Sequence, residues 1–342
     1  MAGVFFFLSI FIKIWSALPA PSAWDNGSTL TEQRHTRLLP TLADWIFTAL
    51  TRWYSAPMQP PATPQLLPDL AVSVVLHFSP LEQLRALLDS ISRAALKAEL
   101  RHVEVVCVDH SCDADYAASS QSFLEAYSAP TDDASYLQIS LLKPGTNRGY
   151  GAGHNLAMAK VESHFHLILN PDVELATDAL KLALDTLKEQ DEVALLAPQG
   201  FSPSGEPAFL AKAYPSFWVL GLRSLVPHWL KIRSGGALAR YEMRDKPSQT
   251  TLRPIELASG CCMWVRRTVF DEVGGFDESY FLYFEDYDLS LRFARKGAVI
   301  EHRDIRIVHH GGGASRKGFQ HIRWFVGGAA RFFNHWGWRW LG

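Results

Sequence analysis

Acidic residues recur in this chain where they could touch a reacting group. Glu285, Asp286 and Asp288 fall within four residues, directly after the aromatic run 279–284 (SYFLYF). Asp288 and Arg292 make an i,i+4 pair suited to a helix, which places Glu285 and Asp286 in its first turn. Two readings of that pair stand open. One is capping and dipole compensation at a helix start. The other is a general base among Phe281, Tyr283, Phe284 and Tyr287, kept ionised by helix N–H groups while its acidic neighbour and the apolar surround raise its pKa. Asp172, after Asn170-Pro171, can be a turn acid or a hard oxygen ligand for Mg2+ or Mn2+ bridging a diphosphate. Asp109 opens Asp109-His110-Ser111-Cys112-Asp113, and a carboxylate there can accept from a pyrimidine N–H and from ribose hydroxyls. Gly149, Gly151 and Gly153 alternate in 147–155 (NRGYGAGHN), where missing side chains let backbone approach phosphates at a helix start. Each cluster alone reads equally as turn chemistry.

Their placement along the chain raises their joint weight. Residues 71–78 (AVSVVLHF), 103–108, 137–142, 165–169 and 193–197 are short, apolar and rich in β-branched residues, as strands buried on both faces are. Helical stretches intervene at 80–100 (Ser79 as N-cap and Pro80 in the first turn), to about 127, at 152–161 and at 177–190. Such alternation predicts right-handed βαβ units around a mostly parallel sheet, and ligands bind such sheets beyond the carboxyl ends of the strands. Asp109 follows the second strand, the glycine loop the third and Asp172 the fourth. Three polar clusters at successive strand ends predict a nucleotide site. The glycine spacing is not the dinucleotide fingerprint, and no glycine loop follows the first strand, so neither a Rossmann cofactor nor a nucleotidyltransferase fits.

The 342 residues suit one large α/β domain with appendages, and 48% apolar with 20% charged residues can build its core. A formal charge of −2 carries no footprint for nucleic acid. Cys107, Cys112, Cys261 and Cys262 show no framework spacing, which predicts reduced thiols in a cytoplasmic protein. Residues 1–55 form a hydrophobic and irregular extension. Its apolar run 4–20, interrupted by Lys13, reads as an anchor lying on a membrane or as an extension upstream of the true start. Five prolines between Pro57 and Pro68 mark residues 56–70 as a stiff linker.

The ordered series AVSVVLHF, VVCVDHS, NRGYGAGHN, LILNPDVE, ASGCCMW, VGGFDESYFLYFEDYDLSLR and HHGGGAS resembles the family 2 glycosyltransferases, most of all their bacterial rhamnosyltransferase-like branch. The resemblance covers about residues 71–336. It implies a GT-A fold over 71–316, with a nucleotide-sugar half at 71–200 and an acceptor half at 201–316. It further implies inverting transfer of a sugar, L-rhamnose from dTDP-rhamnose first, to a hydroxyl of a cell-surface polysaccharide precursor. By position, Asp109 would meet the nucleobase with Asp113 nearby, and Asn147, Gly149 and Gly151 would line the nucleotide pocket. Asp172 matches the last acid of the metal-binding DxD element, Asp286 the base, Glu285 its neighbour or an acceptor contact, and His309 a histidine that approaches the diphosphate or metal. Asn170 stands where that element has its first acid, so a cation should bind weakly without donor. The same resemblance leaves room for a galactofuranose or hexosamine donor, or for a non-catalytic subunit that binds nucleotide sugars.

Residues 305–342 hold six Arg or Lys and no acid, and Ile322, Phe325, Ala329, Phe332, Trp336 and Trp340 recur at helical spacing, weakened by Gly327-Gly328. A basic, tryptophan-rich helix at 317–342 fits an anionic membrane surface, giving peripheral contact with the inner face of the cell membrane beside a lipid-linked saccharide. It fits equally a helix packing its aromatics onto the domain.

Overall fold

A computed structural model of the protein describes residues 67–128, 137–220, 235–244, 250–311 and 318–340. The chain divides into two compact units, Met1–Pro64 and Gln65–Gly342, and the described residues all belong to the second. The expected N-terminal extension, most of the proline-rich linker and residues 312–317 lie outside the described residues.

Strands β1 (Leu70–Leu76), β2 (Val103–Asp109), β3 (Leu137–Leu142) and β4 (Phe165–Leu169) pair in parallel in the order β3-β2-β1-β4. Helices α1 (Leu81–Lys97), α2 (Ala114–Tyr127) and α3 (Tyr150–Lys160) connect them. β1 is buried along its whole length, as its unbroken apolar run requires. Its side chains alternate between two layers: Val72, Val74 and Leu76 pack with Leu84 and Leu88 of α1, whereas Ala71 packs with Ala157 and Val161 beside α3. α1 starts one residue later than expected. Pro80 is its N-cap, taking the amides of Gln83 and Leu84 on its carbonyl, while the Ser79 hydroxyl accepts from the His77 amide at 3.4 Å.

The second half departs from a simple parallel sheet. After β5 (Val173–Leu175), α4 (Ala179–Glu189), β6 (Val193–Phe201), β7 (Pro207–Ala208), β8 (Ala211–Lys212) and α5 (Gly235–Tyr241), three short strands follow. These are β9 (Leu252–Pro254), β10 (Leu257–Ala258) and β11 (Cys262–Arg266). β11 inserts antiparallel between β4 and β6. Then come α6 (Arg267–Val273), α7 (Glu285–Phe293), the long β12 (Ala298–His309) and α8 (Phe319–Trp336). The full path is β3-β2-β1-β4-β11-β6-β12-β5.

That order has a geometric consequence for the site. Four strand spacings separate β4 from β5, about 19 Å in a flat sheet, yet only Asn170-Pro171-Asp172 joins them, a reach of about 15 Å. The sheet must therefore curl until its far edge returns to the end of β4. The register shift between His302 and Arg306 in β12 supplies the bend, as irregular pairing does. Its last residues then pair antiparallel with β5, His309 opposite Val173.

α8 settles the choice left by its amphipathic spacing for one of its faces. Phe325, Ala329, Phe332 and Trp336 pack onto the domain with Tyr280, Phe284 and Tyr287, while Ile322 and Trp340 stay exposed. Gly327-Gly328 does not break the helix. A Cβ on Gly328 would lie 2.7 Å from the Tyr283 carbonyl oxygen, so the glycine allows helix and loop to touch. Among the described residues no helix is long and apolar enough to cross a membrane.

Candidate active site

Asp109 ends β2 in a buried position, and its Oδ1 accepts from the Ser111 amide at 2.8 Å, turning the chain away from the sheet. The exposed Phe78 ring lies 5.4 Å from that of Tyr116, and Tyr116 feels the Asp109 charge. This carboxylate beside two rings can hold a flat base by its edge and face. Sequence reading missed Tyr116, which reads as an ordinary helix residue, whereas Phe78 falls at the end of the first strand, where the family resemblance expects a base contact and this chain has His77-Phe78-Ser79 in place of the usual Thr-Tyr-Asn. Asp113 does something else: it caps α2, its Oδ1 accepting from the Tyr116 amide at 2.8 Å.

The glycine loop likewise has a structural role of its own. Asn147 Oδ1 accepts from the Gly149 amide at 2.9 Å, which bends the chain into a glycine conformation, φ 101°. A Cβ on Gly149 would sit 2.2 Å from the Phe281 carbonyl oxygen, and one on Gly151 2.7 Å from Cβ of Phe276. The space these glycines leave is filled by residues 276–281, so their backbone approaches protein where the sequence suggested phosphate. The Tyr150 amide donates to that same Phe281 carbonyl at 3.0 Å. Asn155 clamps Phe276 through both main-chain groups, at 2.8 and 2.9 Å. Asn147, Gly149 and Gly151 thus dock the loop that carries the acids.

The curl of the sheet brings Asp172 and His309 together, with His309 Nε2 3.4 Å from Asp172 Oδ1. That oxygen is buried and has no hydrogen-bond partner. Burial alone would raise the Asp172 pKa, but His309, then the main-chain amide of Asp172 itself and least the Asn170 side chain, outweigh it and hold the carboxyl below the usual range. Asn170 therefore supports the surviving acid. Its amide also donates to Cys261 at 2.9 Å, tying β4 to the turn before β11. The neighbouring His310 is drawn off, its Nε2 2.6 Å from Glu174 Oε1.

Tyr283 and Phe284 both have positive φ, 74° and 70°, just ahead of α7. Two consecutive non-glycine residues in that region are strained, and such strain clusters at functional sites. The bend divides the acid pair. Glu285 points inward, buried, with Oε2 unpartnered. Desolvation, and then the Asp286 charge, push its pKa well above the carboxylate norm. Asp286 is half-buried, with Oδ2 accepting from the Gly260 amide at 2.9 Å and Oδ1 from the Tyr287 amide at 2.9 Å. The Tyr150 hydroxyl donates to the Gly260 carbonyl at 2.6 Å, so the glycine loop, the turn before β11 and the base candidate form one chain of bonds.

Asp172 and Asp286 share a neighbourhood. Burial pushes the Tyr150 hydroxyl up, and Cys261, Glu285, Asp286 and Asp172 each add to that rise. The Cys261 thiol goes to about 12 through burial first, and both Asp172 and Asp286 add to it. Both carboxylates therefore lie near enough to Tyr150 and Cys261 for their charge to be felt there. Neither Tyr150 nor Cys261 was singled out in the sequence, although a tyrosine between two glycines was a visible oddity.

An acid fixed in orientation, a lone carboxylate with a histidine across from it and a strand-end carboxylate near two aromatic rings suit transfer from a nucleotide-activated donor. The sequence agrees: residues 74–274 match the family described as "Glycosyl transferase family 2". The chain belongs to that family. The glycosyltransferase is 29% identical over 256 residues (71% of this chain, 76% of the relative) to an N-acetylglucosaminyl-diphospho-decaprenol L-rhamnosyltransferase of Mycobacterium tuberculosis. It is 25% identical over 239 residues (69% of this chain, 64% of the relative) to the low-salt glycan biosynthesis hexosyltransferase Agl10 of Haloferax volcanii. In fold it is similar to GalNAc-T7, crystallised with UDP, GalNAc and Mn2+, with a TM-score of 0.53 at 12% identity. That likeness covers 80% of this chain but about half of the other, 48%. The enzyme's α/β architecture is of the GT-A type.

Glu285 gives the transferase a pH-dependent liability. A carboxyl whose folded pKa lies above its unfolded value stabilises the fold at low pH, and that contribution drains away as pH rises through the raised value. Glu285→Gln stays neutral throughout. Its melting temperature should exceed that of the wild type by a margin that opens above about pH 4.3 and widens toward alkaline pH. Thermal unfolding across the acid-to-alkaline range measures it, and a margin that is flat with pH means Glu285 is not held protonated.

Proposed function

We propose that this glycosyltransferase moves a hexosyl group, L-rhamnosyl from dTDP-rhamnose as the leading donor, onto a hydroxyl of a lipid-linked saccharide, with inversion at the anomeric carbon. The single observation that carries the reading is that Asp172, held opposite His309, and Asp286, held by the Gly260 amide, both make their charge felt at Tyr150 and Cys261 and so share one neighbourhood. The mycobacterial relative's name supports the sugar and the acceptor class.

Asp109 and the Phe78–Tyr116 wall would take the base. Asp286, aimed by the Gly260 amide, removes the proton of the acceptor hydroxyl as it attacks from the face opposite the leaving diphosphate. One displacement inverts the centre, and no second nucleophile is needed. A divalent cation, Mg2+ or Mn2+, fits the donor side. Two ligands of one cation lie about 3 Å apart, close to the 3.4 Å between His309 and the unpartnered Asp172 oxygen. Bound there, it would neutralise charge on the departing diphosphate. Among the described residues no cluster of three His, Cys, Asp or Glu could hold it alone. The nucleotide must complete its shell. Mn2+ should accordingly bind weakly to the enzyme alone and at least about tenfold more tightly with dTDP, as calorimetry would show. Equal affinity with and without nucleotide counts against Asp172 and His309 as ligands.

A panel of nucleotide sugars, assayed with a polyprenyl-diphosphate-linked N-acetylglucosamine acceptor and analysed for anomeric configuration, tests the whole reading. Inverted rhamnosyl product, lost on chelation by EDTA, is the expected result. Turnover only with another donor corrects the sugar, and a retained configuration removes the mechanism.

A further inference from the structure

Helix α8 carries a second apolar line whose first half, Phe319 to Val326, the domain leaves uncovered, while Ala329 and Phe333 pack onto the domain. Phe319, Ile322, Val326, Ala329 and Phe333 succeed one another at alternating three- and four-residue steps, so they stack along one flank of the helix. Phe319, Ile322 and Val326 are exposed at 80%, 57% and 59%. Phe333 ends the line by stacking on Trp338 at 5.2 Å, and Trp338 stacks on Trp340 at 5.4 Å. Phe217 joins Trp340 at 5.8 Å, and the Phe217 amide donates to the Arg339 carbonyl at 2.7 Å. The result is an exposed apolar stretch about 12 Å long on the first two turns of the helix, with three further exposed rings, Phe217, Trp338 and Trp340, gathered past its C-terminal end.

Its charge says what it fits. Residues 305–342 carry six Arg or Lys and no acid; on α8 itself Arg323 is exposed beside Ile322, while Arg331 on the opposite flank sits over the Tyr280 ring. An exposed apolar stretch with a cation beside it, and tryptophans gathered past one end, matches the boundary between headgroups and acyl chains of an anionic bilayer. The opposite flank of α8 touches the loop that carries the acids. Trp324 lies 4.5 Å from Phe281, and His321 Nδ1 is 3.1 Å from the Tyr283 hydroxyl. We infer that α8 and the Trp338–Trp340 hook lie flat in an anionic membrane surface and set the acceptor side of the site at the level of the lipid headgroups. The inference rests on the reading of a lipid-linked acceptor, and the two fail separately.

The test is flotation of the full chain with phosphatidylcholine vesicles, with and without phosphatidylglycerol. Binding should need the anionic lipid and weaken with salt. The exposed-site variant Ile322→Ser/Val326→Ser/Trp340→Ser should lose at least about tenfold in partitioning, and Arg323→Glu roughly fivefold or more. Both should keep wild-type turnover of a water-soluble acceptor analogue, which separates lost docking from lost catalysis. Undiminished vesicle binding by both variants overturns the inference, since lipid is then met elsewhere, for instance by residues 4–20. A wild-type dimer that forms without lipid and dissociates in the triple variant overturns it too, by making a second copy the occupant.

Discussion

Asp286→Asn should leave the enzyme able to bind donor but lower kcat by about 10^2 to 10^4, the range that a positioned general base supplies. The asparagine keeps the carbonyl oxygen that accepts from Gly260, so the turn before β11 and the Tyr150 bond to it persist. What disappears is the only capacity the acceptor hydroxyl needs, a lone pair basic enough to take its proton. The two acids of the pair are not interchangeable. Glu285 is buried and driven toward its protonated form by desolvation and by Asp286. A neutral carboxyl in an apolar pocket cannot act as a base. Steady-state kinetics with calorimetric donor binding decide the matter. If Asp286→Asn turns over normally and Glu285→Gln does not, the roles are reversed.

Much of this was legible before the fold. The bounds of β4 follow from its apolar run, since a strand buried on both faces advertises itself by continuity, whereas β3 lies at the sheet edge with only Leu137 fully buried. The acid pair stood out because three carboxylates crowd one turn. The delivery of His309 was not legible from periodicity. β12 contains Glu301, His302, Arg303, Asp304 and Arg306, and no alternating pattern survives that many polar residues. They are tolerated through partners distant in sequence. Arg253 on β9 meets the buried Glu301 at 2.6 Å, and burial raises the Glu301 pKa more than that arginine lowers it. The antiparallel β11 was hidden for a related reason. Its pairing between β4 and β6 joins segments far apart in the chain, and local propensity carries no information about partner or direction. The glycine loop is ambiguous in a different way. Alternating glycines signal close approach of something to the backbone, but not whether that something is a phosphate or the Phe281 carbonyl.

That last distinction sets up the most severe substitution outside the acids. Gly149→Ala should lower kcat/KM by about 10^2 or more, since misplacing catalytic groups by roughly 1 Å has that effect. Two costs combine. The left-handed φ of 101° disfavours any side chain, and the new methyl would lie 2.2 Å from the Phe281 oxygen, which is main chain and cannot rotate away. Residues 276–281 must then move off the loop, breaking the bond from the Tyr150 amide to Phe281 and loosening the hold of Tyr150 on Gly260 and, through it, on Asp286. Gly145→Ala separates the two costs. Gly145 has φ 70° but nothing within 4 Å of a Cβ, so it carries the conformational penalty alone. Thermal unfolding should show a modest loss of about 1 kcal/mol for Gly145→Ala and a larger one for Gly149→Ala. Only the second should lose activity. Equal activity in the two variants would mean that the docking of residues 276–281 on this loop does not position Asp286, and that the acid finds its geometry from Gly260 alone.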